Sequence, residues 1–362
     1  MFCIAAFIVL AFIAIFSASF RPLAKKAWHC VLRRVTFRPC DIDFSEEMKG
    51  KLLGRIIVTH PKLARFLDRW IDWLAFIFVV LSIWSVLYTA TALLNLYVYD
   101  TCSPTSVESC SLGGEACGVD QSAPGLIASW QSGNLLGWVT GPFTRTFTTI
   151  TRIPDRLRTW DAREFVGPTA TYIRPFDASK PTALEIIDPS CQFCKKLTSN
   201  VRTAGIPERM NVTYLLYPIP SEDSGTKFPH SGLLAGVIEA VKRMPLPSNP
   251  SAIPADWQLL EKIFVPAIGS EPDLQSRFAI GFTRVEAEHA LRELLLDIGY
   301  SSQNVDAIFT LAESPEIIEN LRVQAEIVEK RIRTIKIPTL LIGGRRYDRS
   351  VSVEELKRYS NE

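Results

Sequence analysis

"DPSCQFCKKL", residues 188 to 197, places two cysteines, Cys191 and Cys194, two residues apart. That spacing serves a redox pair, half of a metal site or neither, so the flanking sequence has to decide. "TALEIID", residues 182 to 188, is a short apolar run bounded by Pro181 and Pro189, the pattern of a buried strand. Ser190 then stands where a hydroxyl can cap a helix carrying both cysteines. At a helix start the first sulfur meets the positive end of the helix dipole and the second lies one turn below it. Disulfide exchange needs an exposed cysteine that ionises near neutral pH, with a partner within reach. This arrangement assigns Cys191 as nucleophile and Cys194 as resolving cysteine, with Lys195 and Lys196 read as solvated surface charges.

The compartment follows from the N-terminal third. Met1 to Phe20 and Trp73 to Tyr99 carry no charge. Each run is long enough to cross a hydrocarbon layer of about 30 Å, which needs about 20 helical residues. Ser17 and Ser19 are spaced like a signal-peptide cleavage site, but the basic start of a signal peptide is missing, so the first run reads as a span. The loop between, residues 21 to 72, holds twelve Lys and Arg against six acids. So basic a short loop stays in the cytoplasm, which puts the N-terminus and everything after Tyr99 outside. The chain is therefore expected to be a two-pass cell-membrane protein, with the lipid bilayer as a partner. With the loop at +6 and the whole chain at +2, residues 100 to 362 are net negative. A nucleic-acid partner, which needs a basic face, is excluded on that count.

Compartment also sorts the eight cysteines. Cys30 and Cys40 fall in the cytoplasmic loop and Cys3 near the outer end of the first span. Cys102, Cys110, Cys117, Cys191 and Cys194 fall outside, where disulfides persist. "TCSPTSVESCSLGGEACGVD", residues 101 to 120, reads as a loop with one structural disulfide and one leftover thiol, or as a relay passing electrons between membrane and cysteine pair. Residues 135 to 160 follow as an amphipathic segment, with Trp138, Phe143, Phe147 and Ile150 beside basic residues. An interfacial helix and a packing arm both fit it.

From Pro168 the pattern is that of one domain. "MNVTYLLYPI", residues 210 to 219, is a second strand, and its Asn-Val-Thr glycosylation match is accidental inside a strand. Residues 231–244, 254–265, 283–299 and 314–333 repeat apolar side chains at helical spacing. In the last of these, Ile317, Leu321, Ala325, Val328 and Ile332 form one stripe behind Ser314 and Pro315 at the cap and first turn. Residues 337 to 359 give a strand, a Gly343-Gly344 hairpin turn, a second strand and a helix with Ser352 and Glu355 as its capping box. Zinc is the chemical rival, because structural zinc also uses this cysteine spacing. His230 and His289 are isolated, and Cys102, Cys110 and Cys117 lie across an apparent domain boundary, so no complete ligand set is evident and no metal or other cofactor is expected.

The order strand, C-x-x-C helix, strand, helical insertion, "IPT", hairpin and final helix resembles the thioredoxin fold of DsbA-like thiol-disulfide oxidoreductases. The resemblance covers about residues 168 to 362. It implies an α/β thioredoxin fold with a helical insertion at about 231–333, preceded by the two membrane helices and by a linker, residues 100–167. It also implies that Pro338 is cis and faces the cysteines. Glu185, six residues before Cys191, matches a buried acid of the family beneath the active site. "YPIP", 217 to 220, and "FPHSGLLAGVIEAV", 228 to 241, match the strand end and the start of the insertion, and His230 falls where many relatives have histidine; a plain capping or surface role fits it equally.

The implied function is a membrane-anchored extracytoplasmic enzyme that forms disulfides in exported proteins and is reoxidised by a membrane or soluble redox partner. Two departures, Gln192-Phe193 in place of Pro-His and Ile337 in place of Thr or Val, leave the direction of electron flow open. A reductase, an isomerase and a non-catalytic binding module of the same fold are the alternatives.

Overall fold

The computed structural model describes residues 7–8, 21–35, 61–101, 116–118, 130, 133, 135–221, 225–247, 251–264 and 273–360. The expected first span, residues 1–20, lies outside them apart from two helical residues, as do Cys3, Cys40, Cys102 and Cys110. The chain divides into two compact units, Met1–Thr91 and Ala92–Glu362.

The N-terminal unit contains α1 (Arg21–Val35), which carries Cys30, and most of α2 (Pro61–Tyr99). Within α2, Ala75–Tyr99 is long and apolar enough to cross a membrane, the one such helix among the described residues. Its side chains are largely exposed, including Leu81, Val86, Tyr88 and Leu93. In water that exposure would be costly; in hydrocarbon it is favourable.

In the second unit β1 (Cys117–Gly118) is followed by α3 (Leu135–Ile150) and α4 (Ile153–Leu157). The end of α2 packs here: Val98 and Tyr99 meet Ile335 and Ile153, and Thr149 donates a 2.8 Å hydrogen bond to Asn95. The central sheet has the order β3 (Asn211–Leu216), β2 (Thr182–Ile187), β5 (Thr339–Ile342), β6 (Arg345–Tyr347). β2 and β3 are parallel, whereas β5 and β6 run antiparallel to their neighbours. Every residue of β2 and β3 is buried. Helices cover both faces of a strand of that kind, so it reads as a continuous apolar run rather than an alternating one. α5 (Gln192–Thr203) follows β2, and α6 (Ile206–Arg209) leads into β3. The insertion comprises α7 (Ser231–Val241), α8 (Ala255–Phe264), α9 (Arg284–Ile298), α10 (Ser302–Ala312) and α11 (Pro315–Glu326). It returns through β4 (Lys336–Ile337) to β5, and α12 (Val353–Ser360) ends the fold. This is a thioredoxin-like fold with a helical insertion.

Several local expectations hold. Ser314 accepts from the Ile317 amide with Pro315 in the first turn, and Ile317, Val328 and Ile332 are fully buried. The Gly343-Gly344 turn has both residues at positive φ, 54° and 75°, which glycine adopts without the clash that a Cβ brings.

Others need correction. Ser190 does not cap α5: Cys191 itself is the N-cap, and the Ser190 hydroxyl is buried without a partner. The box at Ser352 is half formed, because the Glu355 carboxylate is drawn away to Arg349 while Ser352 still accepts from the Glu355 amide. A complete capping box stands instead at Thr283 and Glu286. His230 is neither a surface residue nor a side-chain cap; it is 4 % exposed and its Nε2 meets the Phe282 carbonyl at 2.8 Å.

Candidate active site

β2 delivers the site. It ends at Ile187, and the chain turns through Asp188, Pro189 and Ser190 into α5. The turn is held from inside by Asp188. One carboxylate oxygen accepts from the Ser190 amide (2.8 Å) and the Ser231 hydroxyl (2.6 Å), the other from the Ile219 amide (2.9 Å). It therefore ties the end of β2 to the segment after β3 and to the start of α7. It stays off the α5 amides and so does not cap that helix. Burial raises its pKa to about 6 even against those three donors. A further tie went unread in the sequence: Gln275 donates to the carbonyls of Pro189 (3.1 Å) and Cys191 (2.9 Å) from within the insertion. Lys195, read as a solvated charge, is paired with Asp273.

Cys194, one turn into α5, is fully buried and is a free thiol. Its sulfur accepts the Asp188 amide at 3.3 Å. Burial raises its pKa well above the ordinary thiol range, and the Asp188 and Glu185 carboxylates push the same way against that single amide. One further turn along the same face, Thr198 donates 2.6 Å to Glu185 on β2. Glu185 is wholly buried and its second oxygen has no hydrogen-bond partner. Burial lifts its pKa to about 7, opposed by Thr198 and the Arg202 charge. A carboxyl with that pKa is half protonated near neutrality, which suits a group that gives and takes protons.

The other wall is β4 and the turn to β5. The Ile337–Pro338 peptide is cis, and the Ile337 carbonyl lies 3.9 Å from the Cys191 sulfur. The four residues singled out in the sequence, Glu185, Cys191, Cys194 and Pro338, thus converge on one point of the fold.

The partner of Cys191 differs from the expected one. Its disulfide is to Cys117, 74 residues upstream, and not to Cys194. Cys117 lies on β1, which pairs antiparallel with β4: Cys117 opposes Ile337 and Gly118 opposes Lys336. Lys227 adds a 3.2 Å bond to the Gly118 carbonyl. Reading Cys117 as remote from the pair was therefore an error. Residues 101 to 120 resemble any Ser- and Gly-rich linker, so nothing local to Cys117 marks a strand. Among the described residues no group of three or more His, Cys, Asp and Glu is placed to hold a metal.

No protein-family model matches the chain, and no curated protein matches it in sequence. Solved structures match it in shape. A thioredoxin-like oxidoreductase from Silicibacter pomeroyi aligns over 54 % of this chain and 93 % of its own, at 14 % identity and TM-score 0.39. The thiol-disulfide exchange protein alpha-DsbA2 from Wolbachia pipientis aligns over 57 % and 96 %, at 14 % identity and TM-score 0.38. A periplasmic thioredoxin-like protein from Salmonella enterica serovar Typhimurium aligns over 54 % and 91 %, at 16 % identity and TM-score 0.37. The likeness is one of fold.

Proposed function

We propose that this chain is a membrane-anchored, extracytoplasmic thiol-disulfide oxidoreductase that forms disulfides in exported proteins. The supporting observation is the stack of Cys191 at the α5 N-cap, buried Cys194 below it and Glu185 below that, walled by the cis Ile337–Pro338 peptide. Cys191 attacks or is attacked, because it stands at the helix start, where free amides stabilise a thiolate. Cys194 resolves the mixed disulfide, and Glu185 exchanges its proton in a place closed to bulk water. Stabilising the Cys191 thiolate favours the reduced enzyme and hence oxidation of the substrate. A separate membrane or soluble partner must then reoxidise the pair.

The same proposal divides the chain into spans at 1–20 and 73–99, a cytoplasmic loop at 21–72, a linker at 100–167 and a redox domain at 168–362. Its topology rests on the basic loop and the apolar stretch of α2. In intact cells an impermeant thiol reagent should miss Cys30 and Cys40; labelling of either would place the redox domain on the cytoplasmic side.

The direct test is Cys194→Ala. Without its resolving thiol the protein should accumulate covalent adducts with exported proteins, seen as bands that reducing agent removes. A variant with Cys191 free, alkylatable and unattached to any partner would refute the exchange function.

A further inference from the structure

The disulfide between Cys117 and Cys191 leaves Cys194 as a free thiol beside one of the bonded sulfurs. Cys191 is thus bonded as it would be in a mixed disulfide, with Cys194 as the waiting thiol. The resemblance goes beyond the sulfur. β1 lies extended and antiparallel to β4, immediately before the cis peptide, and its Cys117 and the preceding Ala116 are 7 % and 6 % exposed. An extended strand added to an open backbone edge gains affinity from main-chain bonds without needing any particular side chains. Lys227 donates to the Gly118 carbonyl as well. β4 is itself tied to the end of the membrane helix, because the buried Lys336 amine donates 3.2 Å to the Asp100 carbonyl.

We infer that Cys117 is a third redox cysteine, and that its segment is a tethered strand which occupies the substrate groove and exchanges disulfides with Cys191 within one molecule. The inference rests on the exchange function proposed above and adds to it an internal competitor. The step is an isomerisation. The Cys194 thiolate attacks the Cys191 sulfur, the Cys191–Cys194 bond forms as the Cys117–Cys191 bond breaks, and Cys117 leaves as a thiolate. The proton lost by Cys194 passes to Glu185 and an equivalent proton is taken up by Cys117. One disulfide is present before and after, so no outside oxidant or reductant enters. With the bond at Cys117 the groove is filled; with the bond at Cys194, Cys117 is free and its strand can be displaced by an exported chain.

The experiment uses the full chain in membranes, quenched with acid, alkylated and mapped by mass spectrometry. In Cys194→Ala, a peptide linking Cys117 to Cys191 should dominate, in a species of monomer mass. In Cys117→Ser the Cys191–Cys194 disulfide should replace it. The double variant Cys117→Ser with Cys194→Ala should trap several-fold more exported protein on Cys191 than Cys194→Ala does. Free, alkylated Cys117 in Cys194→Ala would overturn the inference, as would equal trapping by the single and double variants. Failures are separable. External adducts without the internal link sink this inference and leave the exchange function standing. The internal link, with no external adduct even in the double variant, sinks the exchange function instead.

Discussion

Among the described residues of the second unit two glutamates are fully buried, and their surroundings oppose one another. Glu239, on α7 of the insertion, receives Lys242 at 3.0 Å and Arg243 at 2.9 Å, with Asn320 and Gln324 donating as well. Burial works against its charge, but those partners outweigh it and hold its pKa below the ordinary carboxylate range. Glu185, on β2, has one hydroxyl donor and an unpartnered oxygen, and burial lifts it to about 7. Even Arg202, which lies close enough to be felt, is bound to Glu261. A buried acid with every oxygen satisfied by cations belongs to the architecture. One left half-satisfied beneath a thiol is costly, and a cost of that kind persists where chemistry needs a movable proton.

The same contrast recurs near the end of α2. A cleft of about 540 Å³ is lined there by Asp100, Arg152, Arg156, Arg346 and Asp348 among others. Its acids are each held by an arginine: Arg156 holds Asp100, and Arg346 clasps Asp348 with both side chains about one-tenth exposed. Asp348 is held below the ordinary range by Arg346 despite its burial. This cleft resembles the Glu239 region and not the floor of the cysteine site.

The largest effect that separates the two glutamates is on stability. Glu239→Gln removes the anion but leaves Lys242, 5 % exposed, as a buried cation facing an amide. Breaking a buried pair in this way costs about 3–5 kcal/mol. Because the folded pKa of Glu239 is depressed, its contribution is present above the unfolded carboxylate pKa and disappears as pH falls through the lower folded value. Denaturant unfolding should therefore show a large loss in the variant at neutral pH that shrinks in acid. An equal midpoint for both proteins at pH 7 would remove the distinction drawn between the two sites.

Glu185→Gln should act in the opposite sense. Its folded pKa is raised to about 7, so the wild type loses stability as pH rises from about 4.5 to 7 and stays penalised above. At about 1.4 kcal/mol per pKa unit, the variant gains about 3 kcal/mol at pH 8 and nothing below pH 4. Turnover should meanwhile fall by about 10²-fold, the lower range for a lost acid–base group, and its pH dependence should flatten. Rates unchanged from pH 5 to 9 would make Glu185 a structural residue.

The thioredoxin-like fold was readable because its signals are local. Continuous apolar runs, the Ser314-Pro315 helix start and the Gly343-Gly344 turn each need only neighbouring residues to declare themselves. Convergence of Glu185, Cys191 and Cys194 was also legible, since a strand running into a helix fixes their relation within ten residues. What escaped was non-local. Gln275 reaches Cys191 from 84 residues away, and β1 pairs with β4 across more than two hundred positions. A two-residue strand has no periodicity to detect, and the odd cysteine in its loop could be counted but not placed. The Ser190 reading failed for a different reason: a cap is decided by backbone dihedrals at the turn, and there the N-cap shifts one residue to Cys191.

The smallest change sharpens the contrast from within the site. Thr198→Val keeps the shape of the side chain and deletes the single donor to Glu185. That hydrogen bond favours the ionised form, so its loss leaves burial less opposed and raises the Glu185 pKa further. A hydrogen bond to a charged group contributes about 1.5–3 kcal/mol, which corresponds to an upward move of about one to two pH units. Asp188 and Cys194, the other titrating groups facing this point, keep their own partners, so a shift in the variant reports on Glu185. The pH–rate profile of exchange, and the carboxyl stretch followed by infrared titration, should both move upward together. If the profile moves while the carboxyl band does not, the titration belongs to Cys194, and Glu185 joins Glu239 as a residue of the architecture.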